Sequence, residues 1–270
     1  MRNAILLALL LLPAMPEQAA EVLPIFDGHV HFNADASRMI SPVDALAAMR
    51  QAGIRGALVS STPNDGTHAL HAHDPGRIVP AIRPYRSESD RGSWFADPEV
   101  ADFVDQQLRR GGYRAIGEFH VFGAQAASPV MGRIVRLAIE RDLPLHAHAD
   151  AQAVDILFDH GAQARIVWAH AGMNAPVAEI KRMLDRYPNL MAELSYRDDI
   201  APAGRLDPAW EALFLRHPQR FIFGSDTWTP SRWRELGALA QAARGWLAQL
   251  PPEVAEMIAW RNAERLFPPM

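Results

Sequence analysis

The chain has 270 residues, of which 27 are basic and 31 acidic, and 49% are hydrophobic. That much apolar material can fill a large core and excludes intrinsic disorder, and nearly balanced charge without a basic stripe argues against a nucleic-acid partner. The absence of cysteine excludes disulfides, a thiol nucleophile and a lipidated-cysteine anchor.

In chain order, the first segment is MRNAILLALLLLPAMPEQAA, with basic Arg2, an apolar run over residues 4–12 and small residues before Glu21. This is the layout of a secretory signal, and the run is too short to span a bilayer as a helix. Residues 1–20 are therefore read as a signal peptide, cleaved at Ala19 or Ala20, with a retained N-terminal helix as the alternative. The mature domain is residues 21–270, and the expected location is outside the cytoplasm of a bacterium, periplasmic or secreted.

Eight apolar or β-branched runs follow, at 24–32 (PIFDGHVHF), 56–61, 77–84, 114–120, 143–149, 165–170, 190–196 and 220–226. Amphipathic stretches separate them, at 41–53, 97–112, 128–142, 175–188, 207–218, 231–250 and 252–267, with weaker ones at 64–75 and 150–161. Ser41-Pro42 and Ser128-Pro129 are helix-start signals, and Asp97 opens an acidic first turn. Eight strands alternating with helices predict a parallel (β/α)8 TIM barrel, an α/β fold typically of about 250 residues. An open doubly wound sheet is the alternative, disfavoured by the lack of a Gly-rich phosphate turn.

The polar residues then acquire a pattern. His29 and His31 end the first run, Glu118 and His120 the fourth, His146 and His148 the fifth, His170 the sixth and Asp226 the eighth. A barrel gathers the C-terminal ends of its strands at one mouth. Imidazoles and carboxylates are the ligand set of zinc and similar divalent ions. Such a set has room for two ions about 3.5–4 Å apart, with a strand-four carboxylate between them. Asp27 shares the face of His29 and His31 and is expected to orient one of these rings. His68, His71 and His73 cluster as densely, but no strand end places them; a solvated face or flexible loop is expected, and a lid is the lesser reading.

Asp27-Gly28-His29-Val30-His31 resembles the strand-one motif of the amidohydrolase superfamily. His148, His170 and Asp226 match its ligands after strands five, six and eight, and Glu118 resembles its strand-four bridging carboxylate. The terminal NAERLF, from Asn262 to Phe267, resembles that of the amidohydrolase-related (amidohydrolase-2) group. The likeness spans nearly the whole mature chain.

The resemblance implies a hydrolase with one or two divalent metals, zinc foremost and manganese or iron as alternatives. A metal-activated water would cleave an ester, lactone, amide or phosphoester of a small molecule. The implied ligands are His29, His31, Glu118, His148, His170 and Asp226. Asp226 would move the proton, and His170 would either bind metal or steady the oxyanion. His146 lies one pleat below His148 and could exchange roles with it. Arg83, His120 and Tyr196 are candidate substrate contacts; for Arg83, and for Tyr196 with Arg197, a structural interaction is an equal alternative. Trp228 is a candidate pocket wall. Two rival functions remain. One is a single-metal decarboxylase of the same family, against which Glu118 weighs; the other is a non-catalytic periplasmic metal- or ligand-binding protein. No stable membrane insertion is expected after signal cleavage, and the sequence leaves room for an oligomer.

Overall fold

A computed structural model describes residues 22–268; the proposed leader, residues 1–20, lies outside them. The strands are β1 (Ile25–Val30), β2 (Ile54–Val59), β3 (Ile78–Ile82), β4 (Ala115–Val121), β5 (Leu145–Ala149), β6 (Ile166–Trp168), β7 (Leu190–Glu193) and β8 (Phe221–Ile222). They pair in parallel and in sequence order. The (β/α)8 barrel is the expected one.

The first and last strands meet along a sparse seam. Gly28 donates its N–H to Phe223 O at 2.8 Å, and Asp226 donates to His29 O at 2.7 Å. The eighth run is therefore a shorter strand than expected, because residues 223–226 leave the ladder to make these single closures.

Helix starts follow the local chemistry. Ser41 accepts from the N–H of Asp44, Asp97 from that of Glu99, and Ser128 from that of Met131. In each case the following proline takes the first helical position, where no N–H is needed. The weak segment at 64–75 is a helix, Asp65–His73, on the outer ring. His71 Nδ1 donates to Ile78 O, His68 Nε2 bonds Tyr113 Oη, and His73 Nδ1 donates to Ala69 O. The three rings serve this helix face rather than a lid. Among the described residues, no helix is long and apolar enough to cross a membrane.

The floor of the barrel is apolar. Leu58, Ala81 and Met191 lie two residues before Ser60, Arg83 and Glu193, so they share the face that carries the site. They form one buried cluster with Phe26, Ile222, Ala263 and Phe267. The C-terminal helix Asn262–Leu266 is pinned there: Asn262 Nδ2 donates to the carbonyls of Pro218 and Phe221, and Phe267 stacks on Phe26. The NAERLF segment thus plugs the end of the barrel opposite the site.

Candidate metal centre

The strand ends bring six of the expected side chains into contact. His31 Nε2 lies 3.1 Å from both His29 Nε2 and Glu118 Oε2. Asp226 Oδ1 lies 3.3 Å from His31 Nε2 and 3.6 Å from His29 Nε2. On the other side, His148 Nδ1 is 3.0 Å from Glu118 Oε1 and 3.2 Å from His170 Nε2. The two oxygens of Glu118 thus face two separate sets of imidazoles. His148 is the strand-five residue at this level. His146 lies beneath, its ring edge-on to that of His29 at 4.4 Å and its Nε2 buried without a partner.

The hydrogen bonds behind the rings decide what their front atoms offer. His31 Nδ1 donates to Ser60 O at 2.6 Å, and His29 Nδ1 to Glu193 Oε2 at 2.9 Å. Ser195 Oγ donates to Glu193 Oε2, leaving it to accept from His170 Nδ1 at 2.8 Å. With Nδ1 protonated, each of these three Nε2 atoms presents a lone pair. Lone pairs and carboxylate oxygens packed this closely, away from water, repel unless a cation lies among them. Asp226 Oδ1 is itself buried without a hydrogen-bond partner. The donor set therefore fits divalent cations. In a cation's place a proton serves: burial opposes it, but Asp226, Glu118 and Glu193 outweigh burial and hold the His29 pKa well above the usual range.

Glu193 was not singled out from the sequence. It is fully buried on β7 and serves His29 Nδ1, the His170 N–H and Ser195. Gly224 makes room for it, since a Cβ there would collide with its carboxylate. The signal was present as one acid inside the apolar run Leu190-Met191-Ala192-Glu193-Leu194.

Asp27 does not hold a ring, contrary to expectation. Its Oδ1 accepts the backbone N–H groups of His29 at 3.1 Å and Ser225 at 2.9 Å, tying β1 to the loop after β8. Burial pushes its carboxyl up from the ordinary 3.8 to about 7. Between those two values the folded state binds more protons than the unfolded state. Stability then falls as pH rises through that window and stays lower above it. Asp27→Asn is expected to remove this part of the slope, on the order of a few kcal/mol. Denaturant unfolding of both proteins from roughly pH 5 to pH 8 reads the difference; parallel curves would count against it.

Arg83 is buried and committed to an ion pair. Its Nε donates to Glu118 O and its Nη2 to Glu118 Oε2, both at 3.0 Å. The structural ion pair is thus formed, and Arg83 also lines the cavity above the centre. Arg197 likewise pairs with Asp199 and donates to the carbonyls of Met173 and Ala175.

Above the centre lies a cavity of about 290 Å³, whose lining includes His120, Tyr196 and Trp228. Three of its lining residues, His170, Tyr196 and Asp226, have φ of 56°, 59° and 47°. This left-handed conformation costs energy outside glycine and clusters at functional sites.

A nearly closed parallel barrel with imidazoles and carboxylates converging at its C-terminal mouth defines a class of metal-site enzyme folds. The amidohydrolase family model matches residues 26–268, and the chain belongs to that family, which is metal-dependent. Similar solved structures include a putative 2-pyrone-4,6-dicarboxylic acid hydrolase from Pseudomonas putida, with a TM-score of 0.63 and 15% identity, covering 91% of this chain and 97% of that one. A zinc-bound amidohydrolase from Burkholderia multivorans gives a TM-score of 0.58 and 17% identity, over 90% and 99% of the two chains. A TatD homologue from Escherichia coli gives 0.62 and 17%, over 92% and 99%. At these identities the likeness is one of fold. No curated protein matches the chain.

Proposed function

We propose that the protein is a hydrolase that holds two divalent cations, zinc foremost, and cleaves an ester, lactone, amide or phosphoester of a small molecule. The observation that carries this reading is the convergence of three imidazole lone pairs on two carboxylates, with Glu118 facing both halves of the set. The zinc-bound relative and the hydrolase named among the similar folds support it. His29, His31 and Asp226 would hold one cation, His148 and His170 the other, and Glu118 would reach both. Bound cations lower the pKa of water towards neutrality and polarise the bond under attack.

The chain itself supplies proton transfer. Asp226, at the cavity floor with one oxygen free of hydrogen bonds, would accept the proton of the attacking water and return it to the leaving group. His170 offers a lone pair rather than an N–H, which supports a ligand's role over that of an oxyanion donor. Decarboxylation at a single cation would leave one half of the Glu118 environment without purpose. Export to the periplasm is part of the proposal and rests on the leader-like residues 1–20.

The purified protein, stripped with a chelator and titrated with zinc, is expected to bind about two equivalents. It should then hydrolyse a member of an ester, lactone, amide and phosphoester panel. A single equivalent, with carbon dioxide released from a carboxylic-acid panel, would replace hydrolysis by decarboxylation. Tight binding without either turnover would make it a binding protein. Glu193→Gln keeps the shape behind His29 but removes its charge, so zinc affinity should fall roughly 10–100-fold by competition with a chromogenic chelator. Unchanged affinity would reduce Glu193 to a packing role.

A further inference from the structure

Tyr85 is fully buried, and its hydroxyl has two contacts among the described residues, both to His120. The oxygen accepts the His120 backbone N–H at 2.8 Å and lies 2.9 Å from Nδ1 of the same residue. A buried O–H hydrogen needs an acceptor, and the Nδ1 lone pair is the one within reach. The phenol therefore donates to Nδ1, and His120 carries its own hydrogen on Nε2. That ring lines the cavity beside His170, and it presents an N–H where His170 presents a lone pair.

A second donor stands beside it. Arg91 Nη2 lies 3.4 Å from His120 Nε2, and the Arg91 guanidinium has no carboxylate partner among the described residues. The Arg91 N–H is aimed at Nε2 and would need a lone pair there, but the exposed guanidinium can turn to water or a ligand, whereas the buried phenol hydrogen has Nδ1 alone. The phenol therefore sets the tautomer, and the Arg91 and His120 N–H groups can share an acceptor. Glu118 Oε1, at 4.0 Å from His120 Nε2, is beyond hydrogen-bond reach. Glu88 also lines the cavity, so the site is not simply a positive field; the acceptor has to fit between the two donors.

We infer that His120 and Arg91 form a subsite for a carboxylate on the substrate, with Tyr85 as the positioning residue that fixes the donor tautomer. The inference rests on the proposed function only in taking this cavity as the substrate's. The remaining wall describes the rest of the ligand. Tyr196 and Trp228 are exposed aromatic residues on the same cavity, held together by a 2.7 Å bond from Trp228 Nε1 to Tyr196 Oη. Such faces suit a flat apolar body, and a volume of about 290 Å³ admits a one-ring acid.

The test titrates the purified protein with benzoate and with the neutral benzamide by calorimetry. Benzoate should bind more tightly, and Arg91→Met should weaken it roughly tenfold or more while weakening benzamide, which lacks the charge, much less. Arg91 is exposed, so folding is not at risk. Nitrogen-15 spectra of the histidines should show His120 protonated on Nε2 and lose that signature in Tyr85→Phe, with weaker benzoate binding. Equal binding of the two probes, an Arg91→Met protein with unaltered benzoate affinity, or a proton on Nδ1 in the parent would each overturn the inference. No turnover enters these readings, so failure of the hydrolase proposal is seen separately, in the zinc and substrate panels.

Discussion

Replacing Asp226 with asparagine is expected to lower kcat of the zinc-loaded protein by roughly 10²–10⁴-fold while most of the metal remains. The substitution is structurally mild. Asp226 has a φ of 47°, a left-handed conformation that asparagine adopts at least as readily as aspartate. Its backbone N–H keeps the 2.7 Å bond to His29 O. An amide oxygen can still face the Nε2 atoms of His29 and His31, but an amide cannot accept a proton near neutral pH. Steady-state kinetics and metal analysis on the same sample check it. Unchanged turnover would remove Asp226 from proton transfer; joint loss of metal and turnover would make it chiefly a ligand.

Arg83→Met is expected to cost about 3 kcal/mol in the metal-free protein, because it removes the guanidinium paired with the buried Glu118 carboxylate and leaves that charge to the imidazoles alone. In the parent, burial disfavours the charge on Glu118, while His29 and the other surrounding imidazoles hold its pKa well below the usual range. Cations supply positive charge to the same carboxylate, so zinc should recover much of the loss. Denaturant unfolding with and without zinc reads this directly. An equal deficit in both states would mean that Arg83 acts through its bonds to the backbone of Glu118 and to Thr62 instead.

The barrel was legible because its signals are local. Alternating runs, the caps at Ser41, Asp97 and Ser128, and prolines at helix starts each act within a few residues. The convergence of His29, His31, Glu118, His148, His170 and Asp226 was legible because a parallel barrel puts every strand end at one mouth. Depth was harder. His146 and His148 share a face in the sequence, and only the level of Glu118 separates them. Partnerships across the barrel were not legible. Glu193 reads as an interruption of an apolar strand until curvature brings it behind His29. Asp27 looks like a ring holder until the loop after β8 offers it a backbone N–H. Tyr85 carries no motif at all; its role follows from a single hydroxyl with one acceptor in range.

The seam between β1 and β8 bears on how the barrel opens. Local opening follows the weakest set of backbone bonds, and this edge is closed by two of them, from Gly28 and Asp226. Amides there should exchange with solvent before those of the interior ladders. His29 and His31 stand on one lip of that seam and Asp226 on the other. A cation gripped by all three would stitch the lips together through side chains where the backbone barely does, so occupancy of the centre and slow breathing of the barrel become one linked equilibrium.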